Sequence, residues 1–118
     1  MEDRFPMSSA PFVRGSVTKP RYAIHFLRAA EDDLSEIYEY VASENLKAAE
    51  QILTRTEKNL QLLTRQPQLG RIPNDEELVH MRYRYVVIGD YLAFYTLEGQ
   101  TVLVHRIIHG ARDYLRLL

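Results

Sequence analysis

The 118-residue sequence contains no cysteine and no tryptophan. Without thiols it forms no disulfide and holds no thiolate-bound metal, which fits a reducing compartment. Long apolar runs are missing as well, since no stretch approaches the ~20 apolar residues that span a bilayer. The start, Met1-Glu2-Asp3-Arg4-Phe5, lacks the basic and apolar regions of a secretory leader. A cytoplasmic protein with no membrane partner is therefore expected. Of the four histidines, His25 and His80 stand alone without metal-ligand spacing, so no metal is expected. There is no Gly-rich phosphate loop, dinucleotide fingerprint or Ser/His/Asp set, and no cofactor is expected.

Charge of one sign is also scarce overall, with a net charge of −1. The distribution is uneven. Residues 28–66 carry eight acids against five Lys/Arg, whereas residues 80–118 carry five arginines against three acids. A basic C-terminal half suits an acidic partner. The near-neutral whole is not built to coat nucleic acid, and no direct sequence-specific DNA binding is expected of the chain alone.

What is present is enough apolar residue, 46%, for one modest core. Residues 1–20 are punctuated by Pro6, Ser8, Ser9, Pro11, Gly15 and Pro20 and read as an extended or mobile arm. Residues 21–118 read as a single domain. Tyr22–Leu27 has the pattern of a short strand with Tyr22, Ile24 and Phe26 on one face. Ala30, Leu34, Ile37, Tyr38 and Val41 then form an apolar helical stripe, with Glu31, Asp32 and Asp33 in its first turn. Ser43 or Asn45 is placed to cap a second helix, whose stripe runs through Ala49, Ile52, Leu53, Thr56, Leu60 and Leu63 and ends before Pro67.

A loop at 68–74 leads to three strands: His80–Ile88, a Gly89-Asp90 turn, Tyr91–Leu97, a turn at 98–100, and Thr101–Ile108. Gly110 ends the last, leaving 111–118 as a short helix or tail. The expected fold is α+β in the order β-α-α-β-β-β. Its antiparallel sheet is covered on one face by a helix hairpin, and the other face stays wet or meets a partner.

Four local strings sharpen this reading. They are Ala30-Glu31-Asp32-Asp33-Leu34 with Ile37-Tyr38-Glu39-Tyr40-Val41; Pro67-Gln68-Leu69-Gly70-Arg71; Gly89-Asp90-Tyr91-Leu92-Ala93-Phe94-Tyr95; and Arg106-Ile107-Ile108-His109-Gly110-Ala111-Arg112-Asp113. In this order and at this length the chain resembles the RelE/ParE toxin superfamily of type II toxin–antitoxin systems. One departure is Leu27-Arg28, where the family often has a Ser/Thr-Pro step, so a helix cap is expected to be missing.

The resemblance implies a toxin that arrests growth when free and is neutralised by a cognate antitoxin wrapping it. It also implies two alternative targets. ParE-like members poison DNA gyrase, whereas RelE-like members resemble nucleases that cut messenger RNA on the ribosome. Cutting RNA without metal needs a base, an acid and cations around the phosphate. His109, Arg112 and Arg82 or Arg84 are the candidates for that chemistry. The nuclease branches tend to carry an arginine where Tyr91 stands, line the second helix with lysines, and use a C-terminal tyrosine with which Tyr114 is out of register. Those departures lean towards the ParE-like branch and a gyrase inhibitor, with Tyr83, Tyr91, Arg106 and Tyr114 as candidate contacts to target or antitoxin. The structural alternative for the C-terminal string is that Gly110 permits a turn and His109 closes the last strand.

Overall fold

A single residue, Leu27, links strand β1 (Ala23–Phe26) to helix α1 (Arg28–Ala42). The computed structural model describes residues 21–111 and 117–118; the expected arm at 1–20 and most of the expected C-terminal helix or tail lie outside the described residues. Helix α1 starts as the departure at Leu27 implied, since Leu27 is its N-cap and makes no side-chain cap hydrogen bond. An oxygen-bearing cap would contribute about 1 kcal/mol there. At the other end the Ser43 hydroxyl donates to the Tyr40 carbonyl at 2.7 Å. Of the two expected caps for helix α2 (Leu46–Arg65), it is Asn45 whose side chain accepts the Ala48 N–H at 3.0 Å.

The two stripes bury in large part, with Tyr38 and Val41 of the first left half-buried outside the core clusters. Ala30 and Leu34 of α1 and Ala49, Thr56, Leu60 and Leu63 of α2 are buried, and Ile37, Ile52 and Leu53 pack beside the core. Thr56 meets its polar need inside the helix, its hydroxyl donating to the Ile52 carbonyl at 2.8 Å. Tyr22 N–H donates to the Thr64 carbonyl at 2.9 Å, which brings the end of α2 back to the start of β1.

Beyond α2, the 18 residues between Arg65 and Arg84 are not a plain loop. They contain a five-residue helix, α3 (Glu76–His80), and strand β2 begins only at Arg84 (Arg84–Ile88). The expected strand His80–Ile88 is therefore corrected at its first four residues. The cause is local: the Asp75 side chain accepts the Leu78 N–H at 3.0 Å, and Glu76 and Glu77 occupy the first turn. The end of α3 is equally specific. Arg82 N–H donates to the Val79 carbonyl at 2.9 Å and Tyr83 N–H to the Leu78 carbonyl at 3.0 Å. This is the Schellman pattern, with Leu78 and Tyr83 packed together as its usual apolar pair. The left-handed position in it is held by Arg82, at φ 66°. Glycine is the usual occupant, and a side chain there costs about 1 kcal/mol.

Strands β3 (Tyr91–Glu98) and β4 (Thr101–His109) complete a sheet in the order β1-β4-β3-β2. The two hairpin turns are tight, with Ile88 paired to Tyr91 and Glu98 to Thr101, and with Gly89 and Gly99 at positive φ. The three late strands form the expected antiparallel meander, and β1 joins β4 in parallel at the edge. β1 stops at Phe26, opposite Val104. Beyond that point α1 flanks β4: the Asp33 carboxylate accepts the Ile107 N–H at 2.9 Å and two Arg106 hydrogen bonds at 2.7 and 2.9 Å.

Alternation along β3 divides the core. Ala93 and Tyr95 face the helix hairpin, with Val86, Ile88, Val102, Val104 and Ile107. Leu92 and Phe94 face the other way, into a second cluster with Leu78, Tyr83, Tyr85 and Ile108. Leu117 and Leu118 also pack there. The second face of the sheet, expected to be open, is thus partly covered by α3 and the C-terminal residues. Five helical residues are too few for a period to be visible in the sequence, and their cover went with them. Among the described residues no helix is long and apolar enough to cross a membrane.

Candidate functional site

The chemistry-bearing side chains of the sheet fall into two groups, at opposite ends of β3. Tyr91 is paired with His109 at one end, and Tyr95 with Arg84 towards the other. Four residues along a strand separate them by roughly 13 Å.

At the first end, His109 closes β4 on the exposed surface. Its Nδ1 accepts the Ala111 N–H at 3.1 Å. The Tyr91 ring meets the His109 ring edge to face, 5.3 Å between centroids. Burial, and then the nearby Asp90 and Tyr40, raise the Tyr91 phenol above its ordinary range, so it stays protonated. Gly110 N–H donates to the Asp90 carbonyl at 2.9 Å and ties the end of β4 to the hairpin turn. His109 thus has a turn-closing role in the structure, whatever else it does. Arg112 and Tyr114 lie outside the described residues.

At the other end, a cavity of about 270 Å3 opens between α3, the Gln68–Ile72 loop and the edge of β3. Ile72, Val79 and Leu97 form apolar walls, and Arg82 and Arg84 contribute charge. Arg84 is anchored, its Nη1 donating to the Gln68 and Gly70 carbonyls at 3.1 Å each. Arg82 is exposed, and among the described residues it has no acidic partner. Tyr83 is buried between them, its ring edge-on to Phe94 and to His105. Burial pushes the Tyr83 phenol up and the His105 imidazole down, the latter opposed by Glu98. The His105 ring also lies 2.9 Å from the Thr96 hydroxyl and 3.4 Å from the Tyr83 hydroxyl.

The structure therefore brings Arg82, Tyr83 and Arg84 together and Tyr91 with His109, but it does not join the two groups. Arg106 belongs to neither. Its guanidinium is held by Asp33 and by the Leu117 carbonyl at 3.1 Å, and the hydrogen bond it donates to Asp33 raises its already high pKa. Sequence reasoning did not single out Asp33 as its partner, because 73 residues separate the pair. Among the described residues no cluster of three or more His, Asp or Glu could hold a metal.

The family model described as the ParE toxin of the type II toxin–antitoxin system parDE matches residues 24–114. The chain belongs to the ParE toxin family. A solved structure titled as the chromosomal ParDE toxin–antitoxin system from P. aeruginosa has the same fold, with a TM-score of 0.61. That match covers 75% of this chain and 95% of the other at 16% identity. No curated protein matches. The lean towards the ParE-like branch, read from Tyr91 and the lysine-poor second helix, agrees with this membership. The ParE family model takes in all four strings, and it ends at Tyr114.

Proposed function

We propose that this chain is a toxin that arrests growth by inhibiting DNA gyrase and is silenced by a cognate antitoxin. The observation that carries the reading is ParE family membership over residues 24–114. A second observation supports it. Metal-free RNA cleavage needs a base, an acid and cations within reach of one phosphate. Among the described residues the candidates do not meet: His109 is roughly 13 Å along β3 from Arg84, and its ring already receives a turn hydrogen bond. Arg112 lies outside the described residues. Poisoning a protein target requires no such convergence, only a surface that fits.

The test is inducible expression with and without the neighbouring small open reading frame. Primer extension on messenger RNA and a gyrase supercoiling assay are run on the same cells. Arrest with uncut transcripts and trapped gyrase, relieved by the neighbouring gene product, is the expected result. Codon-phased cleavage with unaffected supercoiling would replace the inhibitor with a nuclease. Normal growth at a high level of folded protein would remove toxicity altogether.

A further inference from the structure

We infer that the cleft beside α3 is a docking site for an extended, acidic and apolar segment of a partner protein. Three independent features of the cleft converge on that occupant.

The first is the backbone at Arg82. The Schellman turn that ends α3 asks for glycine at its left-handed position, and Arg82 stands there at φ 66°. A strained non-glycine residue is an indication of function when its side chain has something to do. In the free chain this side chain is exposed and has no acidic partner among the described residues. Arg84, two residues on, is fixed against the Gln68 and Gly70 carbonyls with its remaining N–H groups uncommitted. Two guanidinium groups, one of them pre-oriented, suit a carboxylate.

The second is the apolar rim. Ile72 and Val79, which line the cleft, are large apolar residues left 58% and 45% exposed. Leu69 and Met81, exposed at 45% and 49%, follow the same pattern nearby in sequence, on the loop and at the C-cap of α3. Exposed apolar residues clustered in this way mark a contact surface. They favour a peptide over a nucleic acid, which would want a longer track of cations. The acidic first turn of α3, Glu76 and Glu77, would also repel a chain of phosphates while leaving a single carboxylate room at the arginines.

The third is a backbone edge. β2 covers β3 only as far as Tyr95, so Thr96–Glu98 pair with β4 alone. Thr96 and Leu97 line the cleft. An extended segment can therefore pair with this edge while its side chains reach the arginines and the apolar walls. This assignment is independent of whether gyrase is the toxin's target.

The test begins with a phage-displayed library of random dodecapeptides selected on the full chain. The expected peptides carry Asp or Glu next to Leu, Ile, Val or Phe. The enriched peptide is then titrated into the wild type and Arg82→Gly by fluorescence anisotropy, with amide NMR shifts read at residues 82–84 and 96–97. Arg82→Gly is a discriminating variant because it relieves the backbone, so it should melt ~4 °C higher. It should nevertheless bind at least ~10-fold more weakly, a cost of ~1.4 kcal/mol. Replacing the peptide's acid by its amide should weaken binding equally, and shifts should cluster at the cleft. No enrichment, enriched peptides without an acid, or equal binding by Arg82→Gly would each overturn the assignment. So would hexathymidylate moving the cleft amides while the acidic peptides leave them unmoved.

Discussion

Asp33 and Arg106 form a two-point clamp between α1 and β4, with Nε at 2.7 Å from one carboxylate oxygen and Nη2 at 2.9 Å from the other. The same carboxylate accepts the Ile107 N–H, so it occupies the edge that β1 leaves open beyond Phe26. Asp33 is well shielded, its side chain 13% exposed. Asp33→Asn loses the charge and part of the geometry, and should destabilise the chain by about 2 kcal/mol in urea melts. A cycle with Arg106→Met should show a coupling of at least ~1 kcal/mol. Additive losses would mean that Asp33 acts through the Ile107 amide alone.

The same clamp explains why so much of the fold was legible. Asp33 lies in the first of the four strings and Arg106 opens the last. The second and third strings also meet, because the Tyr95 hydroxyl donates to the Pro67 carbonyl at 2.8 Å and accepts the Gly70 N–H at 2.9 Å. The strings are therefore the places where distant elements are tied together, and reading them was reading the architecture. Two of the candidate site residues within them, Arg106 and His109, also carry hydrogen bonds inside the fold. The cleft was hidden because it depends on α3, whose five residues show no period and whose end is set by backbone hydrogen bonds rather than by a tell-tale glycine. The parallel pairing of β1 with β4 was equally silent, since two strands nearly 80 residues apart share no local signal.

The Tyr95 tie gives a sharp stability prediction. Tyr95→Phe leaves the Pro67 carbonyl and Gly70 N–H without their partner in a buried place, at a cost of about 2 kcal/mol. Gly70→Ala should cost a similar ~1–3 kcal/mol for a different reason. A methyl group there would press on the Tyr95 ring and lie only 2.9 Å from the Tyr85 carbonyl. Because both act on one contact, the double variant should lose less than the sum of the singles. Chemical denaturation of the three variants checks this, and full additivity would disprove the shared origin.

Helix α3 should depend on its cap. Asp75→Ala removes the acceptor of the Leu78 N–H and should cost about 1 kcal/mol, whereas Asp75→Ser should cost less than half of that. Hydrogen exchange should locate the effect at Leu78–Tyr83, whose amides close the turn, and leave β4 protected. Uniform loss of protection would show that α3 does not open on its own.

His105 should make the fold sensitive to mild acid. It sits at the register shift between β3 and β4, against Thr96 and Tyr83, where burial lowers its pKa more than Glu98 raises it. The unfolded chain, with an ordinary value of about 6.5, thus binds a proton that the folded chain resists. Its contribution to stability is complete above that value and is lost as pH falls through the lower folded one. His105→Gln keeps a hydrogen-bonding side chain for Thr96 but cannot titrate. Urea midpoints measured at pH ~7.5, ~6.5 and ~5 should therefore fall more steeply in the wild type than in the variant. Parallel curves would show that the imidazole takes up its proton as readily in the fold as in the unfolded chain.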